Sequence, residues 1–220
     1  MNVKLIGFTS DPEKLPAMAA TLTHSKTKPE NLDKISDKEQ SAILEQVLKL
    51  GHTSVIEHAT FTFAISDVSR SLTHQLVRHR IASFSQQSQR YVNLNEPHYV
   101  IPPSIKKNTK MKKAYEETMR VIWDQYNKLL EMKIPAEDSR YVLPNATCTN
   151  IMVTMNARSL LNFFELRCCL HAQWEIRSLA NKMLQEVKKV APIIFKNSGP
   201  SCNTKQICPE KKKDCPLYPK

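Results

Sequence analysis

The 220-residue chain contains only three glycines, Gly7, Gly51 and Gly199, and they lie far apart in the sequence. The dinucleotide-binding fingerprint of a Rossmann fold needs three clustered glycines, and a P-loop needs two ahead of its lysine. Neither motif is present, so a glycine-rich loop does not hold a phosphate group in this protein. A nucleotide would have to be bound largely by side chains, and the planar, permanently charged guanidinium of arginine is best suited to that role.

The charge of the chain favours anionic partners. Lysine and arginine number 32 against 21 acidic residues, which gives a formal net charge of +11 at pH 7. This balance is typical of proteins that bind nucleic acid, a membrane surface or phosphorylated small molecules. Part of the excess lies in two lysine-rich runs, 106–113 and 211–213, and such runs are usually solvated. The arginines are spread differently and are better candidates for ligand contacts.

The sequence predicts a cytoplasmic protein without a membrane span. No stretch approaches the ~20 apolar residues that a transmembrane helix needs. Residues 1–14 contain too short an apolar stretch for a signal peptide and favour a first strand instead. Six cysteines in a chain of this length do not indicate a disulfide framework, so reduced thiols are expected.

Helical and strand periodicities alternate along the chain. Strands are predicted at 3–8, 60–65 and 149–155, and helices at about 11–22, 37–50, 68–79, 110–132, 157–168 and 171–190. Asp11, Asp37 and Asn156 are the expected N-caps of three of these helices. The order predicts one α/β (α+β) domain, residues 1–197, with a central antiparallel-type sheet flanked by helices. A short polar tail that contains cysteine and lysine, residues 198–220, follows it.

The densest polar cluster is the segment RHRIASFSQQSQRY, residues 78–91, which contains three arginines and no acid. Hydroxyl and amide side chains lie between the arginines at its two ends, so the segment could bind a phosphate and recognise a base. The alternative is a solvated basic loop. Composition alone does not decide between the two.

The same segment resembles the signature of flavin-dependent thymidylate synthases, RHRxxSxxxxSxRY, which stands intact here. Two further segments are similar to sequences of that family. GHTSVIEHATFTF at 51–63 looks like GHxSxxEHxxFTF, and NARSLLNFFELRCCLHAQWEI at 156–176 resembles NARSLxNFxxLR…AQWEI. The three matches occur in the family's order and together cover roughly residues 50–176.

The resemblance implies an enzyme that reductively methylates dUMP to dTMP. Methylenetetrahydrofolate would be the carbon donor, NAD(P)H the reductant and bound FAD the hydride carrier. It also implies a homotetramer whose active sites are shared between subunits, with no nucleic-acid or membrane partner.

The family's functional residues carry over position by position. The matches to FAD contacts are Ser54, Arg78, His79, Arg80, Gln86, Asn156, Ala157, Arg158 and Asn162. The matches to the dUMP pocket are Gln75, Leu76, Val77, Arg78, Gln86, Gln87, Ser88, Gln89, Arg90, Arg140 and Arg167. Arg167 matches the arginine to which ionisation of uracil N3 is attributed, which makes it the predicted catalytic residue. His52 matches a histidine near the flavin.

Gln86 departs from the family pattern, because many members carry glutamate at this position. Glutamine keeps the acceptor oxygen but loses the charge, so a role that needs a carboxylate is in question here. The two side chains are nearly isosteric, and this predicts that Gln86→Glu is tolerated. Surrounding arginines would hold the new carboxylate ionised.

The tail carries three cysteines, Cys202, Cys208 and Cys215, spaced C-x5-C-x6-C. This spacing is looser than the CxxC pairs of ordinary zinc sites, so free thiols are the first interpretation and no metal is predicted in the active site. A zinc site completed by a cysteine or histidine of residues 168–171 is one alternative, and a regulatory disulfide is another.

Two other functions are compatible with the sequence. A flavoprotein of the same fold could act on a different nucleotide, or a basic RNA-binding protein could use the segment 78–91. RNA-binding sheets display clusters of exposed aromatic residues, and at 7% aromatic residues the chain shows no such set. Bound flavin, visible as a yellow colour, would distinguish a flavoprotein from an RNA-binding protein.

Overall fold

The computed structural model describes residues 1–219 and shows a mixed α/β fold, which confirms the predicted fold class. Its strands are β1 (Asn2–Phe8), β2 (Thr60–Ser69), β3 (Ser83–Gln86) and β4 (Cys148–Asn156). They form one four-stranded antiparallel sheet in the order β1-β2-β4-β3. No helix in this described part of the chain is long and apolar enough to cross a membrane.

Nine α-helices occur within residues 1–219. They are α1 (Lys14–Leu22), α2 (Asp37–Leu50), α3 (Arg70–Leu76), α4 (Pro103–Lys106), α5 (Thr109–Glu131), α6 (Ala136–Ser139), α7 (Ala157–Arg167), α8 (Trp174–Val190) and α9 (Ser201–Thr204). Short 3-10 helices occur at Pro29–Lys34, Val55–His58 and Arg140–Val142.

The chain divides into two compact units. The first contains residues 1–2, 65–77 and 85–151, and the second contains residues 3–64, 78–84 and the described residues from Met152 onward. In the first unit, Trp123 of α5 is buried and donates its indole N–H to the Leu94 carbonyl at 2.8 Å. This bond satisfies the one polar atom of a large core side chain.

The core of the second unit is aromatic. Alternation along β2 and β4 places Phe61, Val153 and Met155 on a buried face of the sheet, as the period-two pattern predicts. Phe195 packs edge-on against Phe61, with ring centroids 5.4 Å apart, and against Phe164 of α7 at 5.9 Å. This packing fixes α7, which carries several of the predicted ligand-binding residues.

The first helix does not begin as the sequence predicts. Asp11 adopts a left-handed backbone (φ 48°) and does not cap α1, which begins at Lys14. The neighbouring Glu13 is buried, and its carboxylate accepts hydrogen bonds from the backbone N–H groups of Ile193 at 2.6 Å and Ile194 at 3.0 Å. Burial raises the pKa of Glu13, and the two N–H donors oppose that rise.

The other two predicted N-caps, Asp37 and Asn156, have different outcomes. Ser36, not Asp37, caps α2, where it forms a capping box with Glu39. Asn156 caps α7 as predicted, accepting a hydrogen bond from the Ser159 backbone N–H at 2.8 Å.

The helix predicted at 68–79 is shorter than expected. Strand β2 continues through Ser69, whose side chain accepts from the Leu72 N–H and caps α3. Asp67 has a left-handed backbone (φ 58°) inside β2, which breaks the alternation that located the strand in the sequence. Since α3 ends at Leu76, Arg78 lies beyond the helix and does not share a helical face with Gln75.

Candidate functional site

A cleft of 620 Å³ in the second unit collects most of the predicted FAD contacts. Its lining includes Arg78, His79, Arg80, Asn156, Arg158, Asn162 and Arg167. Four of these seven are arginines, so the cleft is strongly basic. The residues come from two stretches of sequence, the one that follows α3 and the one that forms the end of β4 and α7.

Local structure explains how these side chains reach the cleft. The chain leaves α3 at Val77, so residues 78–80 lie in irregular structure. Asn156 is the last residue of β4 and caps α7, while Arg158 and Asn162 are one turn apart on that helix. One turn of a helix brings residues i and i+4 onto the same side.

Arg167 is held by His79. Its Nε donates to Nε2 of His79 at 3.0 Å, so His79 accepts at Nε2 and its remaining proton is on Nδ1. The His79 ring packs edge-on against Phe163, with centroids 4.9 Å apart. The bond uses only Nε of Arg167 and spares the two terminal nitrogens that form the guanidinium fork.

Both partners have perturbed acidities. Burial, and then the charge of Arg167, lowers the pKa of His79 to about 4. Burial and the neighbouring Arg78 lower the pKa of Arg167. At neutral pH the pair therefore consists of a neutral imidazole and a guanidinium cation.

The neutral state of His79 predicts an effect of pH on stability. Its pKa is about 4 in the folded protein and about 6.5 in an unfolded chain, so between these values the unfolded state binds more protons. The free energy of unfolding is expected to fall by about 2 kcal/mol as the pH drops from about 6.5 towards 4. Urea denaturation across this range should show the loss in wild type and a smaller loss in His79→Gln. Equal losses in the two proteins would contradict the prediction.

Arg158 is paired with an acid that the sequence analysis did not identify. Its Nη1 donates to Oε1 of Glu57 at 2.6 Å, and Glu57 also lines the cleft. The two side chains are 55% and 44% exposed, so the pair contributes little to stability. Its effect is to orient the guanidinium, and an anionic ligand would compete with Glu57 for it.

A second group of predicted residues lies in the first unit. Arg90 Nε donates to the Glu137 carboxylate at 2.9 Å, and Arg140 Nε donates to the Glu137 backbone carbonyl at 3.0 Å. One residue thus holds two guanidiniums by their Nε atoms. Arg70 is a further cation near this pair. Burial, and then the charge of Arg140, lowers the pKa of Arg70. Glu137 and Arg70 carried no signal in the sequence, since both lie outside the matched motifs.

Gln86 also lies in the first unit and does not line the cleft. Its Nε2 donates to the hydroxyls of Thr73 and Thr149, both at 3.3 Å. The neighbouring Gln87 is held through Oε1, which accepts from Asn150 Nδ2 at 3.1 Å. Ser88 Oγ accepts from the Arg90 N–H at 3.2 Å. The segment 78–91 is therefore not one loop, because β3 occupies residues 83–86.

The remaining predicted residues differ in how they could act. Leu76 and Ala157 are fully buried, so only their backbones could contact a ligand. Val77 is 44% exposed. Gln75 and Gln89 are half-buried in the first unit, and Ser54 is exposed at the start of the 3-10 helix that carries Glu57.

The tail cysteines do not form a metal site in the described structure. The three tail cysteines, Cys202, Cys208 and Cys215, are free thiols. Within residues 1–219, no three histidine, cysteine, aspartate or glutamate side chains are grouped to hold a metal ion. The zinc alternative is therefore not supported.

A basic cleft and a second group of arginines and amides, without a glycine-rich loop, are typical of proteins that bind anionic ligands through side chains. The sequence matches the family model described as thymidylate synthase complementing protein over residues 4–193. It is 50% identical to a flavin-dependent thymidylate synthase from Clostridium tetani, covering 98% of this chain and 93% of the relative. It is 49% identical to one from Geobacter sulfurreducens, covering 96% and 91%.

The fold has a counterpart among solved structures. The UMP/dUMP methylase PolB from Streptomyces cacaoi, bound with 5-Br dUMP, superimposes with a TM-score of 0.76 at 23% identity, covering 89% of this chain and 93% of that one. The chain belongs to the flavin-dependent thymidylate synthase family. This confirms the resemblance drawn from the three sequence segments.

Proposed function

We propose that the protein catalyses the reductive methylation of dUMP to dTMP with FAD as cofactor, the reaction named by the family to which it belongs. One observation carries this proposal. Six of the predicted FAD contacts, from stretches about eighty residues apart, line the same cleft: Arg78, His79, Arg80, Asn156, Arg158 and Asn162.

The residues of the cleft fit FAD. Its four arginines are suited to the two negative charges of a pyrophosphate. The amides of Asn156 and Asn162 supply further polar contacts, and 620 Å³ is within the usual range of ligand pockets. FAD bound there supplies hydride-transfer chemistry, while the protein supplies binding and orientation.

The dUMP phosphate is assigned to the arginines of the first unit. Arg90 and Arg140 are each held at Nε, which spares the terminal nitrogens for a bidentate contact. Hydrogen bonds to charged groups contribute about 1.5–3 kcal/mol each. Two or three of them supply much of the ~8 kcal/mol that corresponds to micromolar affinity.

Arg167 is assigned the activation of the base. A cation beside the uracil stabilises the negative charge that develops when N3 loses its proton. His79 keeps the guanidinium in place and, being neutral, does not add a second positive charge to repel it. The N3 proton is released to water, so neither residue has to accept it at neutral pH.

The finer features of the reaction are also proposals. Methylenetetrahydrofolate is the proposed carbon donor, NAD(P)H the proposed reductant and the cytoplasm the proposed location. A homotetramer with shared active sites is supported by apolar side chains on the edge strand β1, where Ile6 and Phe8 are 46% and 48% exposed.

We further propose that residues 1–197 form the synthase domain and residues 198–220 a tail. The start of this tail packs on α7, within the second unit. Cys202 is buried, and Lys205 donates to Glu165 of α7 at 2.6 Å.

Two measurements on the purified protein test the proposed function. Flavin absorbance reports bound FAD, and tritium release from 5-labelled dUMP with methylenetetrahydrofolate and NADPH reports the reaction. A yellow protein that releases tritium is the expected result. A yellow protein inactive on dUMP would indicate a flavoprotein with another nucleotide substrate, and a colourless protein that retains RNA would contradict the proposal altogether.

A further inference from the structure

Three polar side chains meet beside β3 in the first unit. Gln86 Nε2 donates to Thr73 Oγ1 and to Thr149 Oγ1, so both hydrogens of its amide are used. Thr73 and Thr149 are 1% and 3% exposed. Their hydroxyls are shielded from water, so their hydrogen bonds have to be made within the protein.

The two threonines are not equivalent. Thr73 Oγ1 donates its one hydrogen to the Arg70 carbonyl at 3.0 Å, one turn earlier in α3. A hydroxyl has a single hydrogen, so while Thr73 donates to the Arg70 carbonyl it can only accept a bond from residue 86. Thr149 has no such commitment in the described structure, and its hydroxyl can rotate either to accept or to donate.

We propose that Thr73 and Thr149 are positioning residues that fix the Gln86 amide, with its NH₂ group towards the hydroxyls and Oε1 towards the nucleotide. Gln86 is then a specificity-determining residue that offers a neutral acceptor to an N–H or O–H donor of the substrate. The second half of this statement rests on the proposed function, and the first half does not.

The arrangement explains why this chain carries an amide at position 86. An ionised glutamate would place an acceptor oxygen against Thr73 Oγ1, which has no hydrogen to give. Leaving a buried polar group unsatisfied is destabilising, because the group has lost its hydrogen bonds to water. Thr149 could still turn to donate to the carboxylate, so the conflict is confined to Thr73. Gln86→Glu is nearly isosteric, but the direction of these bonds disfavours it.

A pair of double-mutant cycles tests the proposal. Gln86→Glu is expected to raise the KM for dUMP roughly tenfold, because an acceptor faces an acceptor. Adding Thr73→Val removes that acceptor and should recover part of the loss. Adding Thr149→Val removes the one hydroxyl able to donate to the carboxylate and should make the loss larger. The distinguishing result is that Gln86→Glu couples with Thr73→Val and with Thr149→Val with opposite signs. A merely structural role of the two threonines would give both couplings the same sign.

The same two cycles, measured as unfolding in urea without ligand, separate this inference from the proposed function. If wild type fails to turn over dUMP, the proposed function fails, yet the stability cycles still decide the orientation of residue 86. Thr73→Ser keeps the hydroxyl and should match wild type, which covers the case in which Thr73→Val does not fold. Couplings of equal sign in both cycles would overturn the assignment of the two threonines. Opposite signs in stability with no change in KM would overturn the contact with the nucleotide.

Discussion

Arg167→Ala is expected to lose methylation while retaining FAD. The guanidinium sits at the end of α7, bonded through Nε to His79, and its assigned task is to stabilise charge on the uracil. Removing one preorganised group that stabilises developing charge typically lowers kcat by about 10²–10³. Flavin absorbance and tritium release, measured on the same preparation, give cofactor content and turnover together.

The matched control is Arg177→Ala on α8. Arg177 is another arginine of the second unit, and its guanidinium donates to the Leu170 carbonyl outside the cleft lining. This variant should keep both flavin and turnover. If the Arg167→Ala protein were instead isolated without FAD, Arg167 would be a flavin-binding or structural residue, and the catalytic assignment would be wrong.

Arg90→Ala is expected to weaken dUMP binding about a hundredfold, and Arg90→Lys about tenfold. The alanine variant loses a bidentate contact to the phosphate, worth about 3 kcal/mol. The lysine variant keeps the charge but loses the planar fork and the Nε–H that bonds Glu137 at 2.9 Å. Isothermal titration with dUMP measures both, and FAD content should be unchanged because Arg90 does not line the cleft.

Arg120→Lys is a close control for this experiment. Arg120 also donates through Nε to a glutamate, Glu117, at 3.1 Å, and it lies on α5 of the same unit. That substitution breaks the same kind of bond at a position with no assigned ligand, so dUMP affinity should not change. Wild-type affinity in both Arg90 variants would show that this group is not the phosphate site.

The bounds of helices and strands were predictable where apolar residues recur with a regular period. They were not predictable where a single residue sets the end of the element. The alternation along β4 and the stripe on α5 located both elements to within a residue or two. Strand β2 was cut short in the prediction, because left-handed Asp67 shifts the alternation after Ile65. Helix α3 was overextended at both ends, because Ser69 caps it two residues later than predicted and no glycine or proline marks its end at Leu76.

Sequence also predicted only part of the candidate site. The arginines and amides that face ligands were located by motifs, because their chemistry is concentrated in short segments. His79, which orients Arg167, lies inside a motif, but Glu137 and Glu57 were assigned no role because each is far in sequence from the arginine that it orients. Glu137 is 47 residues from Arg90, and Glu57 is 101 residues from Arg158. No local period or spacing reports contacts of this kind.

The two hydrogen bonds that Glu13 accepts from Ile193 and Ile194 set an order on folding during synthesis. The second unit is assembled from three separated stretches of chain. The backbone N–H groups that donate to its buried Glu13 carboxylate lie about 180 residues later in the sequence. Residues 85–151 of the first unit are continuous and leave the ribosome earlier. Contacts between distant residues form slowly, because closing the intervening chain costs entropy first. The aromatic core of the second unit is therefore completed last, and a nascent chain that stops short of Ile193 leaves Glu13 without its donors and this core without Phe195.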